Sequence, residues 1–310
     1  MGLRTFFKKI FTAPPSTPTT EQKDEAQPGI QTGYYKCGKF DIFIPGDHKL
    51  PEYQGEHGLY DQFLPVLASC LPKNALVIDV GANVGDTYAS MLSANENLYF
   101  LCIEPDEQFF SLLESNMEAI SLSENRRDKD RAKKIYIGDP TNNSGELVSK
   151  NGSAKVVKST QARLIPYFRL EELIDLEKIS EQQTILVKSD VDGYDFEVIS
   201  SLGKYIKRPF TILYFEAQCF TEEQLHGYGH LLKNLEGNGF LFTIMDNFGN
   251  LIHDACNASQ AIDLLNYTWN QQSPKRTRTI WYVDILATHA STQNVTKHTL
   301  QTYRQKFNLI

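Results

Sequence analysis

Acids and glycines at set spacings are the residues of this chain best placed to do chemistry. The run Val77-Ile78-Asp79-Val80-Gly81-Ala82-Asn83-Val84-Gly85-Asp86-Thr87 reads as an apolar strand ending in an acid, then a glycine turn that opens a helix. Gly81 and Gly85 remove Cβ atoms where the backbone must turn sharply and a ligand must lie close against it. Such a strand, loop and helix sit at the carboxyl edge of a parallel sheet, where doubly wound folds bind ligands. The next apolar run ends in Glu104-Pro105-Asp106. That places a carboxylate about 20 residues beyond the glycines, where a nucleoside ribose can donate two hydroxyl hydrogen bonds to it.

A dinucleotide fits this turn poorly, because Asn83 occupies the middle position of the G-x-G-x-x-G fingerprint. A pyrophosphate also favours a helix N-terminus free of competing anions. Here Asp79 precedes the turn and Asp86 follows it, which suits a cation. S-adenosylmethionine meets these demands, with its sulfonium and ammonium beside the loop and its ribose on Glu104. Asp139, expected at the exit of a later strand, could meet the adenine amino group or equally cap its own turn.

A second constellation follows another apolar run: Lys188-Ser189-Asp190-Val191-Asp192-Gly193-Tyr194-Asp195. Like charges this close repel, so the cluster suits a metal, a cationic cofactor or a proton being moved. Asp192 or Asp195 could instead cap a helix, with Gly193 supplying the turn. Asp190 should point from its strand tip into the cleft, and is the expected general base. Asp192 or Glu216 would assist it, Glu216 terminating the neighbouring strand. If a divalent ion is used, Asp190 and Asp192 are its candidate ligands. His226 and His230 lie four apart on one helix, but no further ligand accompanies them and no HExxH glutamate is present. A solvated pair is the expectation there, not a zinc site.

These residues need a scaffold of alternating elements. Strands are expected over 76–80, 98–103, 134–137, 184–189, 211–215, 240–245 and 281–287. Helices are expected over 86–94, 106–120, 170–176, 195–202 and 221–237. The pattern implies an α/β fold with a seven-stranded, mostly parallel sheet, helices on both faces and an antiparallel strand near one edge. A tail and linker span 1–33, a lead-in strand and helix 34–75, the main domain 76–290 and a C-terminal extension 291–310.

A net charge of −7 over 310 residues argues against general affinity for nucleic acid. The basic stretch from Arg126 to Lys134 has acids interleaved and reads as a solvated helix end. Five scattered cysteines without a C-x-x-C suit reduced thiols in the cytoplasm. The first eleven residues hold too short an apolar run for a signal peptide or a span. They could form a basic amphipathic helix in weak contact with a membrane surface.

The segments VIDVGANVGDT, CIEPDEQFFSLLESN, LVKSDVDGYDFEVISSL and ILYFEAQ together resemble the FkbM-type family of S-adenosylmethionine-dependent methyltransferases. The resemblance covers roughly residues 40–287. It implies a Rossmann-like methyltransferase fold and, for most members, O-methylation of sugar or natural-product hydroxyls. On it, Asp79, Gly81, Asn83, Gly85 and Glu104 correspond to the cofactor motif. Lys188, Asp190, Asp192 and Gly193 correspond to the family's K-x-D-x-[acid or amide]-G run. The family usually has an apolar residue at Ser189 and Glu at Asp195. The expected activity is O-methylation of a sugar, glycan or related small metabolite. Methylation of a nitrogen, and a non-catalytic glycan- or partner-binding module on the same fold, are the alternatives.

Overall fold

The computed structural model of the chain describes residues 32–126, 128–138, 145–150, 153–158 and 167–309. A hairpin of β1 (Thr32–Cys37) and β2 (Phe40–Pro45) leads into helices α1 (Leu50–Glu56) and α2 (Phe63–Cys70). The first half of the alternation is β3 (Leu76–Val80), α3 (Asp86–Ala94), β4 (Tyr99–Ile103), α4 (Glu107–Ser123) and β5 (Asp130–Lys133). An inserted region follows, with β6 (Tyr136–Ile137), the hairpin β7 (Gly145–Lys150) and β8 (Ser153–Lys158), and β9 (Tyr167–Phe168). The second half runs α5 (Leu170–Leu176), β10 (Ile185–Ser189), α6 (Asp195–Ser200), β11 (Thr211–Ala217), α7 (Glu222–Gly237) and β12 (Phe240–Asp246). It closes with β13 (Leu251–Cys256), α8 (Ala258–Asn270), β14 (Val283–His289) and α9 (Gln293–Phe307).

Every residue of β3, β10 and β11 is buried, the mark of parallel strands covered on both faces. The main sheet has the order β13-β12-β14-β11-β10-β3-β4-β5. The five strands from β11 to β5 are parallel, and β14 is antiparallel to both β11 and β12. Chain order reverses between β3 and β10, so a crevice opens at their carboxyl ends, where such sheets bind ligands. One face carries α2, α3, α4 and α9, with Phe63, Tyr88, Phe100, Leu300 and Tyr303 in its core. The other carries α5, α6, α7 and α8 around Ile78, Val187, Phe215, Tyr228 and Phe242.

The fold class is as expected, with eight strands in place of seven. The extra strand, β13, lies on an edge, and His253, Asp254 and Ala255 are exposed, so its sequence lacks an apolar run. The turn before it is closed by Asp246, whose Oδ1 accepts from the N–H groups of Phe248 and Asn250. The strand expected at 134–137 is displaced: Asp130–Lys133 joins the sheet, while Tyr136–Ile137 pairs with β9 outside it. The lead-in segment and the last helix share one hydrophobic cluster with the sheet.

Arg126 is not part of a solvated helix end. It is 3% exposed, pairs with Asp130 Oδ1 at 2.8 Å and donates to the carbonyls of Glu96 and Leu98. His226 and His230 are both exposed on α7, as expected of a solvated pair. All five cysteines are free. Among the described residues no helix is long and apolar enough to cross a membrane.

Candidate active site

The glycine loop leaves β3 through left-handed backbone at Gly81 (φ 76°), Asn83 (φ 48°) and Gly85 (φ 86°). A Cβ at Gly81 would lie 2.0 Å from the Asp190 carbonyl oxygen, and one at Gly85 would lie 2.9 Å from Leu113 Cδ1. A backbone contact therefore demands glycine at 81, and the left-handed backbone favours it at 85, before any ligand is considered. The loop is pinned to β4, where Ile103 O accepts from Gly81 N at 2.9 Å and Ala82 N at 3.0 Å. Glu104 follows at the tip of β4 and is 4% exposed. Its Oε2 accepts from Asn83 N at 2.8 Å and its Oε1 from Asp106 N at 2.9 Å. Burial lifts its carboxyl to about 7, against the pull of those two donors.

Asp79 is fully buried, with its Oδ1 3.0 Å from Lys188 Nζ. That contact is an ion pair without hydrogen-bond alignment, and neither oxygen of Asp79 has a hydrogen-bonded donor among the described residues. Burial raises the Asp79 carboxyl, and the ammonium opposes that shift. Lys188 in turn stays charged despite its burial, because Asp79 and Asp190 hold its pKa above the usual lysine value. Its Nζ donates to Gly81 O at 3.0 Å and lies 3.7 Å from Asp190 Oδ2. Lys188 thus ties the glycine loop to the end of β10.

In the sheet register Ser189 sits between Val80 and Phe215, so Asp190 emerges between Gly81 and Glu216. Asp190 N donates to Val80 O at 3.1 Å, and its side chain is 55% exposed. Asp192 takes left-handed backbone (φ 52°), followed by Gly193 (φ 90°), where a Cβ would lie 2.8 Å from Gln218 O. Asp195 points the other way, into the protein. It is fully buried and accepts from Ser189 Oγ at 2.6 Å, Val191 N at 3.2 Å and the Tyr228 hydroxyl at 3.3 Å. The two positions where the chain departs from the family pattern, Ser189 and Asp195, are therefore hydrogen-bonded to each other. Burial lifts the Asp195 carboxyl to about 7.

A cleft opens beside Asp190, and several of its walls come from segments with no motif of their own. Tyr60 and Asp61 come from the loop between α1 and α2, Asn247 from the turn after β12, and Tyr282 and Asp284 from the start of β14. Glu216 and Tyr214 of β11 complete the wall with Lys188 and Asp190. Burial, and then the charges of Asp190, Asp195 and Asp284, push the Glu216 carboxyl well above its usual range. Asp284 is raised likewise, by burial and then by Asp190 and Asp61. Asp61 is exposed at the rim, and the surrounding protein, then Asp86 and Asp190, push its carboxyl up.

Asp79, Gly81, Asn83, Gly85 and Glu104 thus gather at one edge of the sheet, next to Lys188, Asp190 and Glu216. Asp139 lies outside the described residues. Among the described residues no group of three or more His, Cys, Asp or Glu side chains is arranged to hold a metal ion. Asp61, Asp284 and the three tyrosines escaped sequence reasoning, because only the sheet order and the packing of the lead-in bring them here.

Residues 79–242 match a family model described as the methyltransferase FkbM domain. Comparison with curated proteins finds no match. Among solved structures, the chain is similar to a methyltransferase FkbM from Methylobacillus flagellatus KT, with 12% identity and a TM-score of 0.37 over 69% of this chain and 43% of that one. It is also similar to a delta-N METTL16 MTase domain, with 12% identity and a TM-score of 0.41 over 80% of this chain and 87% of that one. A third is the plantazolicin methyltransferase BpumL in complex with SAH, with 10% identity and a TM-score of 0.37 over 77% and 88% of the two chains. The chain spans less than half the length, 43%, of the first of these.

Proposed function

The chain belongs to the FkbM methyltransferase family, and on that premise we propose that it is an S-adenosylmethionine-dependent O-methyltransferase acting on a hydroxyl of a sugar, glycan or related metabolite. The observation that carries this reading is the placement of Asp190, half-exposed, between the glycine loop and Glu216 at the point where strand order reverses.

The residues of the loop suit the cofactor. Each oxygen of the Glu104 carboxylate accepts one backbone N–H, which leaves about half of its roughly four lone-pair sites for the two hydroxyls of a ribose. Asp79 is matched by the Lys188 ammonium, and Asp86 in the first turn of α3 leaves an acid beside the loop, as a cationic ligand requires. Gly81, Asn83 and Gly85 give the backbone its close turn. Bound there, S-adenosylmethionine would supply an electrophilic methyl group on a sulfonium.

The protein's own part is then positioning and proton removal. Asp190 would take the acceptor's hydroxyl proton, readying that oxygen for the methyl group the cofactor would supply. Lys188 holds Asp190 and the loop in register from its buried ion pair. Glu216 and Asp192 flank the base, and Glu216 lines the same cleft as Asp190. The test is to incubate candidate glycans with S-adenosylmethionine and measure mass. A gain of one methyl on oxygen supports the reading, and transfer only to nitrogen or no transfer across sugars and hydroxylated metabolites refutes it.

A further inference from the structure

We propose that the acceptor carries a protonated amine near the hydroxyl to be methylated, and that the cleft walled by β10, β11, β14 and the α1–α2 loop binds that ammonium group. The proposal rests on the reading that this cleft receives the acceptor.

Charge is the first argument. Four acids line the cleft, Asp61, Asp190, Glu216 and Asp284, and Lys188 is the one basic residue among the described lining. Its ammonium is committed to Asp79 at 3.0 Å and to Gly81 O at 3.0 Å, with Asp190 further off at 3.7 Å. The lining therefore holds three more acids than bases, and a cation entering it favours their ionised forms.

Acids at a surface are ordinary, but Glu216 is not at the surface. It is 9% exposed and lines the cleft, and its carboxylate has no hydrogen-bond or ion-pair partner among the described residues. Its near neighbours Asp190, Asp195 and Asp284 are acids as well. Water in the cleft can serve this carboxyl, so a ligand that displaces the water must bring a donor of its own. A neutral polyol brings donors without charge, whereas an ammonium brings both.

The rings are the third argument. Tyr60, Tyr214 and Tyr282 line the same cleft, and aromatic rings attract a cation that lies over them once water is displaced. An amine held among carboxylates stays protonated and has no lone pair. It cannot then be the nucleophile, so the methyl goes to a neighbouring oxygen.

The test uses the full chain saturated with S-adenosylhomocysteine, with saturation established first by calorimetry. Free hexosamines, their N-acetylated forms and the matching hexoses are then titrated by calorimetry and ligand-observed NMR. The free amines should bind at least about tenfold more tightly than their neutral partners, the scale of a charge-assisted contact backed by cation–π faces. Glu216→Gln should shrink that preference. Asp61→Asn, at the exposed rim, should reduce it independently. Equal or reversed preference overturns the proposal, as does no amine binding at millimolar concentration or a methyl found on nitrogen. If S-adenosylhomocysteine itself fails to bind, the cofactor reading falls first and this proposal falls with it.

Discussion

Glu104 and Asp190 carry separate parts of the proposed chemistry, and they can be separated by measurement. Glu104→Ala should weaken S-adenosylhomocysteine binding by at least ~1 kcal/mol, since hydrogen bonds to a charged group are lost. Because burial lifts the folded carboxyl to about 7, it is largely protonated below that pH. A ribose diol donates best to the ionised form, so affinity should rise by up to about tenfold between about pH 6 and about pH 8. Calorimetry across that range, with Glu104→Gln flat, checks the sign. For Asp190, replacement by Asn should lower turnover by about a hundredfold while leaving S-adenosylhomocysteine affinity close to wild type. A fully active Asp190→Asn enzyme, untouched by a chelator, would remove both the base and the metal-ligand role. Both residues were legible from sequence: Glu104 closes the second strand at the spacing a ribose requires, and Asp190 stands at a strand tip where such sheets bind ligands. Their neighbours Asp61 and Asp284 were not, since an isolated acid in a turn or at a strand's start says nothing about what it will face.

Among the elements, the glycine loop and the β10–α6 turn work as one unit. A side chain at Gly81 would strike the Asp190 carbonyl, and the residue also holds φ 76°. Gly81→Ala should therefore cost at least about 1–3 kcal/mol and lower the melting temperature, because backbone strain and a backbone clash act together. A variant melting like wild type would mean that the loop is not clamped against β10. Asp195 anchors the other side of the turn by accepting from Ser189 Oγ, Val191 N and the Tyr228 hydroxyl. Gly227 on α7 lets the Phe196 ring approach, since a Cβ there would lie 2.5 Å from Phe196 Cε2. In the sequence that glycine reads as a weak point of the helix. In the fold it is a contact surface, and Tyr228 beside it reaches Asp195 and Glu216 O, the latter at 3.0 Å.

Across the whole molecule, the last helix closes the face on which the lead-in packs. Leu300 is 3% exposed and Tyr303 fully buried, with the Tyr303 ring 5.2 Å from that of Phe63 and its hydroxyl donating to Gly249 O at 2.8 Å. Each such buried side chain is worth about 1.5–3 kcal/mol. Ending the chain before α9 should thus abolish cooperative melting or leave the protein insoluble. A truncated chain that melts sharply near the wild-type temperature would show that α9 is dispensable.

The sequence by itself determined the local logic of this protein. Strand, acid and glycine turn follow one another along the chain, so Asp79, Gly81, Gly85 and Glu104 could be read without a structure, and Asp190 with its run as well. Apolar runs at 76–78, 185–187 and 212–215 likewise announced buried parallel strands, each run followed directly by a charged residue. The tertiary structure alone decided which distant acids share the cleft, that Arg126 is buried on Asp130, and that an eighth strand extends the sheet. It also showed that Gly81 answers first to the Asp190 carbonyl. These depend on long-range packing between segments that carry no periodic signal, and burial is a property of the neighbours a residue acquires, not of the residue itself.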